Sequence, residues 1–347
     1  MAKKVKKVST NTKKSTKRKV LITLLVILII LVLFCIIGIW YIHNKLSKVN
    51  YVELKNIEIN EGVAEELKGY RNVALFGVDA RTDTYTGTRS DGIIIASINE
   101  ETNEVKLTSI YRDTMVYIEG HGYDKITHAY AYGGPELAIN TINKNFDLDI
   151  REFVAVNFDA VIDIVDAVGG IEINITPEEV TQINNNIDLL ARQGGKTCTK
   201  VSTAGTHNLN GGQALAYARI RKLAGGDYKR TERMRDVLNA GFKKAKSLSI
   251  VELDNLANKL LPRVYTNVKE NEIFALLPDI AKYNIVESEG WPYKVEGITL
   301  DKWYGVPVTL ESNVKELHEK LFENADYEVS DTVKRYSEEI IQKTGYR

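Results

Sequence analysis

Cysteine is nearly missing from this chain of 347 residues: there are two. One of them, Cys35, lies inside a continuous apolar run, which leaves Cys198 alone in everything that follows. No intramolecular disulfide can form there, so the folded part must rest on a hydrophobic core, and about 280 residues suffice for one. Acid is missing from residues 1–19, which hold nine Lys or Arg. Charge of either sign is missing from Val20 to Ile42, 23 residues in a row.

The last two absences belong together. At about 1.5 Å per residue, an apolar helix of that length crosses a hydrocarbon core of roughly 30 Å. A cleaved signal peptide has a shorter apolar region, about 7–15 residues, ending in small side chains. This run ends instead at Trp40 and Tyr41, which suit a membrane interface. The expectation is one N-terminal transmembrane helix (20–42) behind a cytoplasmic basic tail (1–19), with everything after residue 43 outside. A disulfide-free exported domain fits a bacterium, and the expected location is a Gram-positive cell membrane. Residues 43–68 are mixed and polar and read as a spacer that keeps the fold near the bilayer.

The chain balances 46 basic against 46 acidic residues, but nine of the basic ones sit in the tail, so the rest carries 37 against 46. That excess of acid, with no helix-turn-helix pattern, excludes general nucleic-acid binding.

The stretch from Asn72 to Thr114 organises the outer part. Val73–Val78, Ile93–Ile98 and Val105–Tyr111 read as strands, rich in Val, Ile and Leu and separated by turn residues. Charges collect at the ends of these runs: Asp79, Arg81, Arg89, Asp91, Arg112 and Asp113. Strand ends and the loops after them are where α/β folds place chemistry. Acids alternating with arginines suit a phosphate or pyrophosphate carried with Mg²⁺. The acids would hold a hard cation, and the guanidinium forks would take phosphate oxygens two at a time. For any one of these residues a surface salt bridge is the plainer reading; the grouping argues for a site.

Met115–Ile118 is a further strand, followed by a glycine-bearing loop with His121, Lys125 and His128, the histidines read as solvated. Gly133-Gly134-Pro135 breaks the chain and opens a helix over Glu136–Phe146. Strand Glu152–Phe158, a helix Ala160–Val168 capped by Asp159, and strand Ile171–Ile175 read as a βαβ unit, hence a largely parallel or mixed sheet covered by helices. Residues 176–209 read as an irregular surface excursion with one short helix near Ile187–Arg192. Helix Gln213–Ala218 then leads to Arg219 and Arg221. After Gly225-Gly226, Asp227 is expected to cap a helix running to Lys246, with Arg230 and Arg233 on one face of its positive end. Residues 251–347 alternate helical pieces (Val251–Leu261, Glu270–Tyr283, Val314–Phe322, Thr332–Lys343) with a hairpin (Lys294–Leu300, Val306–Leu310) and show no chemical constellation.

Arginine is unevenly spread. Of fourteen after residue 43, eight fall in two stretches: Arg81, Arg89 and Arg112, then Arg219, Arg221, Arg230, Arg233 and Arg235. Bidentate phosphate binding is what separates Arg from Lys. Two such concentrations in an acidic domain point to one anion pocket, on the condition that they meet in space.

The pieces FGVDAR, TRSDGIII, IYRDTMV, GYDKITHAYAYGGPE, VNFDAVIDIVDAVGGIEI, LNGGQALAYARIR and RTERMRDVL, in this order behind a basic tail and one span, resemble the LytR-CpsA-Psr family over roughly residues 69–246. The resemblance implies a three-layer α-β-α sandwich with a central mixed sheet, whose catalytic part spans 69–250 and is completed by 251–347. It implies an enzyme that moves an anionic glycopolymer (wall teichoic acid, capsular polysaccharide or similar) from undecaprenyl pyrophosphate to peptidoglycan with Mg²⁺ or Mn²⁺. On the family's pattern Asp79 and Asp91 match the metal-associated acids. Arg89, Arg112, Lys125, Arg219, Arg221 and Arg230 match the pyrophosphate-binding groups, with Asp79, Arg89, Asp91 and Arg112 the catalytic set. Met234 stands where the family usually has Gln. A pyrophosphate hydrolase using the same pocket, and a non-catalytic envelope regulator, are the alternative classes.

Overall fold

The computed structural model describes residues 49–79, 87–193, 198–249, 252, 256, 261–269, 272 and 281–347. The expected basic tail and transmembrane helix, Arg81, and most of the helices expected at 251–261 and 270–283 lie outside the described residues. Among the described residues no helix is long and apolar enough to cross a membrane.

A seven-stranded mixed sheet forms the centre, in the order β1 (Asn50–Tyr51), β10 (Tyr265–Thr266), β7 (Glu152–Asn157), β2 (Tyr70–Val78), β3 (Ser90–Asn99), β4 (Glu104–Ile110) and β11 (Asn284–Trp291). β2 runs antiparallel to β3 and parallel to β7, and β11 joins the far edge parallel to β4. The three strands read from Asn72–Thr114 are therefore the middle of the sheet. Their near-continuous apolar runs are explained by burial on both faces.

On one face Ala74, Phe76, Ile93 and Ile95 pack against the helical run α2 (Ile126–Phe146) and two late helices, α7 (Leu310–Phe322) and α8 (Asp331–Thr344). On the other, Ile94, Ala96 and Leu107 meet Leu238 of α6 (Gly226–Ala245). Helices thus cover both faces of the central sheet. A separate apolar cluster joins α3 (Phe158–Ala167), α4 (Pro177–Arg192), α5 (Gly211–Ala218) and the strand pair β8 (Ile171–Ile175) and β9 (Gly205–Leu209).

Four local expectations change. The βαβ reading fails because β8 leaves the main sheet and pairs antiparallel with β9. Its residues alternate strictly between buried and exposed, whereas a central parallel strand buries both sides. The expected surface excursion contains the full helix α4, started by Thr176 and Pro177, with Glu179 Oε2 accepting from the Thr176 amide at 3.0 Å. Two of its asparagines tie it to its surroundings: Asn184 and Asn186 donate to the carbonyls of Val201 and Ala216. The break at Gly133 and Gly134 and the helix after it are as expected, but a further helical stretch from Ile126 precedes the break where a loop was read. Finally, Asn157, not Asp159, caps α3, accepting from the Ala160 amide at 2.8 Å, and Gly225 rather than Asp227 precedes α6. Asp227 has other work.

Candidate functional site

The β2–β3 pairing slips at one point. Gly77 faces Gly92 and Val78 faces Ser90, so Asp91 is the extra residue of a β-bulge. Bulges bend a strand and re-aim a side chain, and here the one re-aimed is a carboxylate. Gly77 and Gly92 face each other beside it with no side chains of their own, and a Cβ on Gly92 would meet Met234 Sδ at 3.6 Å.

Around Asp91 three other segments converge. Arg112 and Asp113 follow β4, Lys125 ends the short strand β6 (Gly122–Lys125), and α6 brings Asp227 and Arg230 one turn apart. Arg112 Nη1 lies 2.6 Å from Asp91 Oδ1. Arg230 Nη2 reaches Asp227 Oδ2 at 2.9 Å and the Asp91 main-chain oxygen at 3.3 Å, while its Nη1 stands 4.0 Å from Asp91 Oδ2. Arg221, half exposed, spans Asp91 at 3.6 Å and Asp227 at 3.5 Å. Lys125 Nζ holds Asp113 Oδ1 at 2.8 Å. Four cations thus face three carboxylates. Burial works against the Arg112 charge, but Asp91, Asp113 and Asp227 outweigh it and hold the guanidinium above its ordinary pKa. Burial also pushes the Asp227 carboxyl up, against the pull of Arg112 and Arg221. Arg230 is only 1% exposed, and its Nε, like that of Arg112, is buried with no hydrogen-bond acceptor. Buried donors without acceptors at a cluster of arginines suit an anion.

The two arginine-bearing stretches therefore do meet, but not with every member. Asp79 and Arg89 are exposed at the adjoining ends of β2 and β3, where the Asp79 amide donates to the Arg89 carbonyl at 3.3 Å. They sit at the rim beside the ion-pair cluster. Arg219 lies over the Phe158 ring, 5.3 Å from its centroid. Arg233 is a structural tie: its Nε bonds Glu179 Oε1 at 2.7 Å and its Nη1 reaches the Ile220 carbonyl, joining α6 to α4 and to the segment after α5. Arg235 is buried near Tyr111, and burial lowers its pKa. Neither joins the anion pocket: Arg233 shares a face with Arg230 but is taken up by Glu179, and Arg235 is turned toward Tyr111. Among the described residues no group of three or more His, Cys, Asp or Glu is placed to hold a metal ion.

Sequence reasoning missed a second polar group. Asp124, almost fully buried, accepts from Lys302 Nζ at 2.8 Å, from the Tyr132 hydroxyl at 2.7 Å and from the Lys125 amide at 2.7 Å, with His128 Nδ1 at 2.9 Å. Burial alone would raise this carboxyl, but those bonds hold it far below the usual range. His128 is thus helical and bonded rather than solvated, and Lys302 brings chemistry from the part of the chain where none was expected. The missed signal for Asp227 was its place: the one acid between two arginine pairs in a glycine-rich run. For Lys302 no local signal exists.

The LytR_cpsA_psr family model matches residues 39–322. The teichoic acid transferase TagT of Bacillus subtilis, in full the polyisoprenyl-teichoic acid–peptidoglycan teichoic acid transferase, is 34% identical over 265 residues, covering 74% of this chain and 80% of that one. A solved structure of TagT bound to LI-WTA is similar with a TM-score of 0.61 at 28% identity, over 80% of this chain and 100% of that one. A solved structure of the LytR-CPS2A-psr family protein YwtF (TagT) with bound octaprenyl pyrophosphate lipid is similar with a TM-score of 0.54 at 28% identity, over 78% and 94%.

Proposed function

Because the chain belongs to the LytR_cpsA_psr family, we propose that it transfers an anionic glycopolymer, of the wall teichoic acid or capsular kind, from polyprenyl pyrophosphate to peptidoglycan. The observation that carries this reading is the convergence of Arg112, Lys125, Arg221 and Arg230, from segments more than a hundred residues apart, around Asp91, Asp113 and Asp227. A peptidoglycan hydroxyl attacks the polymer-bearing phosphorus. The bond from that phosphorus to the bridging oxygen breaks, polyprenyl monophosphate leaves, and a phosphodiester remains. The hydroxyl proton passes to a carboxylate of the cluster, Asp91 or Asp113.

Such a transfer needs positioning and charge neutralisation more than covalent help. The guanidinium forks of Arg112, Arg221 and Arg230 take the phosphate oxygens and stabilise charge on the leaving monophosphate. Lys125 adds a point charge at the β6 end, with Arg89 at the rim and Arg219 beside Phe158. Asp79 and Asp91, on neighbouring strand ends, fit Mg²⁺ or Mn²⁺, since one or two carboxylates completed by phosphate oxygens and water is the donor set Mg²⁺ uses. Bound there, the cation would offset diphosphate charge. Residues 20–42 anchor the chain, and the catalytic part (69–250, completed by 251–347) faces the cell wall; the stretch read as a spacer, 43–68, is folded from residue 49 on, with β1 in the central sheet and Val63 and Leu67 in the core. The partners are the lipid-linked polymer and peptidoglycan; no nucleic acid is involved.

The test is reconstitution of the full chain with lipid-linked glycopolymer and peptidoglycan. Transfer yields a polymer–peptidoglycan adduct and polyprenyl monophosphate in equal amounts. Free polymer phosphate without an adduct would mean hydrolysis and overturn the reading.

A further inference from the structure

A groove of about 470 Å³ runs between the extended segment 52–55 and residues 131–136 of α2, and Gly87, two residues before Arg89, also lines it. We infer that this groove seats the sugar backbone of the acceptor, an uncharged glycan strand, with a pyranose ring stacked on Tyr132. The inference rests on the transferase reading above and names the place of its second substrate.

Tyr132 is 46% exposed, unusual for a large ring in a structured helix, yet it is held rigidly. Its hydroxyl donates to Asp124, and the His121 ring stacks on it at 4.1 Å between centroids, 10° from parallel. A fixed aromatic face with its negative quadrupole suits the C–H face of a sugar. The backbone beside it is open. Gly133 and Gly134 leave helical geometry, the latter with φ +65°, and Pro135 has no N–H to return to the Ala131 carbonyl. A break of this kind offers main-chain polar groups to hydroxyls and acetamido groups. The opposite wall is laced on, with Glu136 Oε2 accepting from the Lys55 amide at 2.6 Å and Asn140 bonded to Asn56 and Glu58.

Charge separates the two substrates. The phosphate site is crowded with arginine, whereas the groove carries Glu53 and Glu136 against Lys55. A polyanionic donor is disfavoured there and a neutral sugar is not. Position links them: Asp124 bonds both Tyr132 and the amide of Lys125, and Thr127 Oγ1 holds the Ser90 carbonyl next to Arg89. A ring on Tyr132 is thereby tied, through Asp124 and Lys125, to the element that carries one cation of the phosphate site.

The experiment compares wild type, Tyr132→Ala and Tyr132→Phe as full chains in detergent, after melting curves show that each is folded. Titration with peptidoglycan-derived saccharide oligomers should show saturable binding to wild type, at least tenfold weaker binding to Tyr132→Ala, and recovery to within about threefold in Tyr132→Phe. In the transfer assay Tyr132→Ala should raise the acceptor KM by a similar factor and leave the donor KM unchanged. Equal saccharide binding by wild type and Tyr132→Ala, or a change in donor KM alone, overturns the assignment. Saccharide binding that depends on Tyr132 in a wild type that transfers nothing would sustain the groove and remove the transferase reading instead.

Discussion

His318 makes the fold sensitive to acid, by an amount that can be worked out. Its ring is fully buried, stacked on Tyr327 at 3.6 Å between centroids, with Nε2 3.1 Å from the Phe146 carbonyl and Nδ1 facing no acceptor. The neutral ring donating from Nε2 meets the Phe146 carbonyl, and a proton on Nδ1 would bury a charge that Asp147 offsets only in part. Burial accordingly lowers the pKa from 6.5 to about 4. The unfolded chain takes up the proton below 6.5 and the folded one only below about 4, so stability falls as pH drops through that window and then levels. The shift of about 2.5 units corresponds to about 3 kcal/mol, of which about 1.4 kcal/mol is gone one unit below 6.5. Denaturant unfolding of the outer domain between about pH 7 and about pH 4 measures it, wild type against His318→Gln, which can still donate to Phe146. Asp149, Asp227 and Asp236, raised by burial, titrate with the opposite sign, but they do so in both proteins and cancel in the difference. The stability difference should change by about 3 kcal/mol in favour of the variant at low pH. Parallel curves would refute the reasoning.

Arg230→Met should destabilise the fold by about 1–3 kcal/mol, because it removes the shortest ion pair of Asp227 and the donor on the Asp91 main-chain oxygen while Arg112 and Arg221 still face both carboxylates, and adding Asp227→Asn should recover part of that loss in the same unfolding assay. Arg221→Ala, at an exposed position, should change stability by no more than about 0.5 kcal/mol yet weaken binding of a fluorescent polyprenyl pyrophosphate by about tenfold or more. Chelation of divalent cations should stop transfer while leaving the melting temperature of the protein unchanged, and added Mg²⁺ or Mn²⁺ should restore it.

The middle of the sheet was legible because its strands are buried on both faces and read as apolar runs whatever the rest of the fold does. β8 was misread although its own pattern, Ile171-Glu172-Ile173-Asn174-Ile175, alternates as a half-exposed strand should. α4 was announced by Thr176, Pro177 and Glu179, and three asparagines hid it. At the site, chemistry was readable where charges sit at strand ends, as with Asp91 and Arg112, both of which the structure brings into one pair. Arginine density overreached at Arg233, since composition cannot say which helix face meets Glu179. Lys302 was out of reach for the same reason in stronger form. Its partner Asp124 lies far away in sequence, and only the closed fold joins them.

The carboxylates around Arg112, Arg221 and Arg230 mimic the phosphates for which those forks are shaped. An empty pocket of arginines would splay by mutual repulsion, and the aspartates keep it drawn together between turnovers. On the proposed reading, an arriving diphosphate would exchange one set of oxygens for another, with little side-chain movement and a low reorganisation cost of binding. The same exchange would release the Asp91 carboxylate from its guanidiniums as the acceptor hydroxyl gives up its proton.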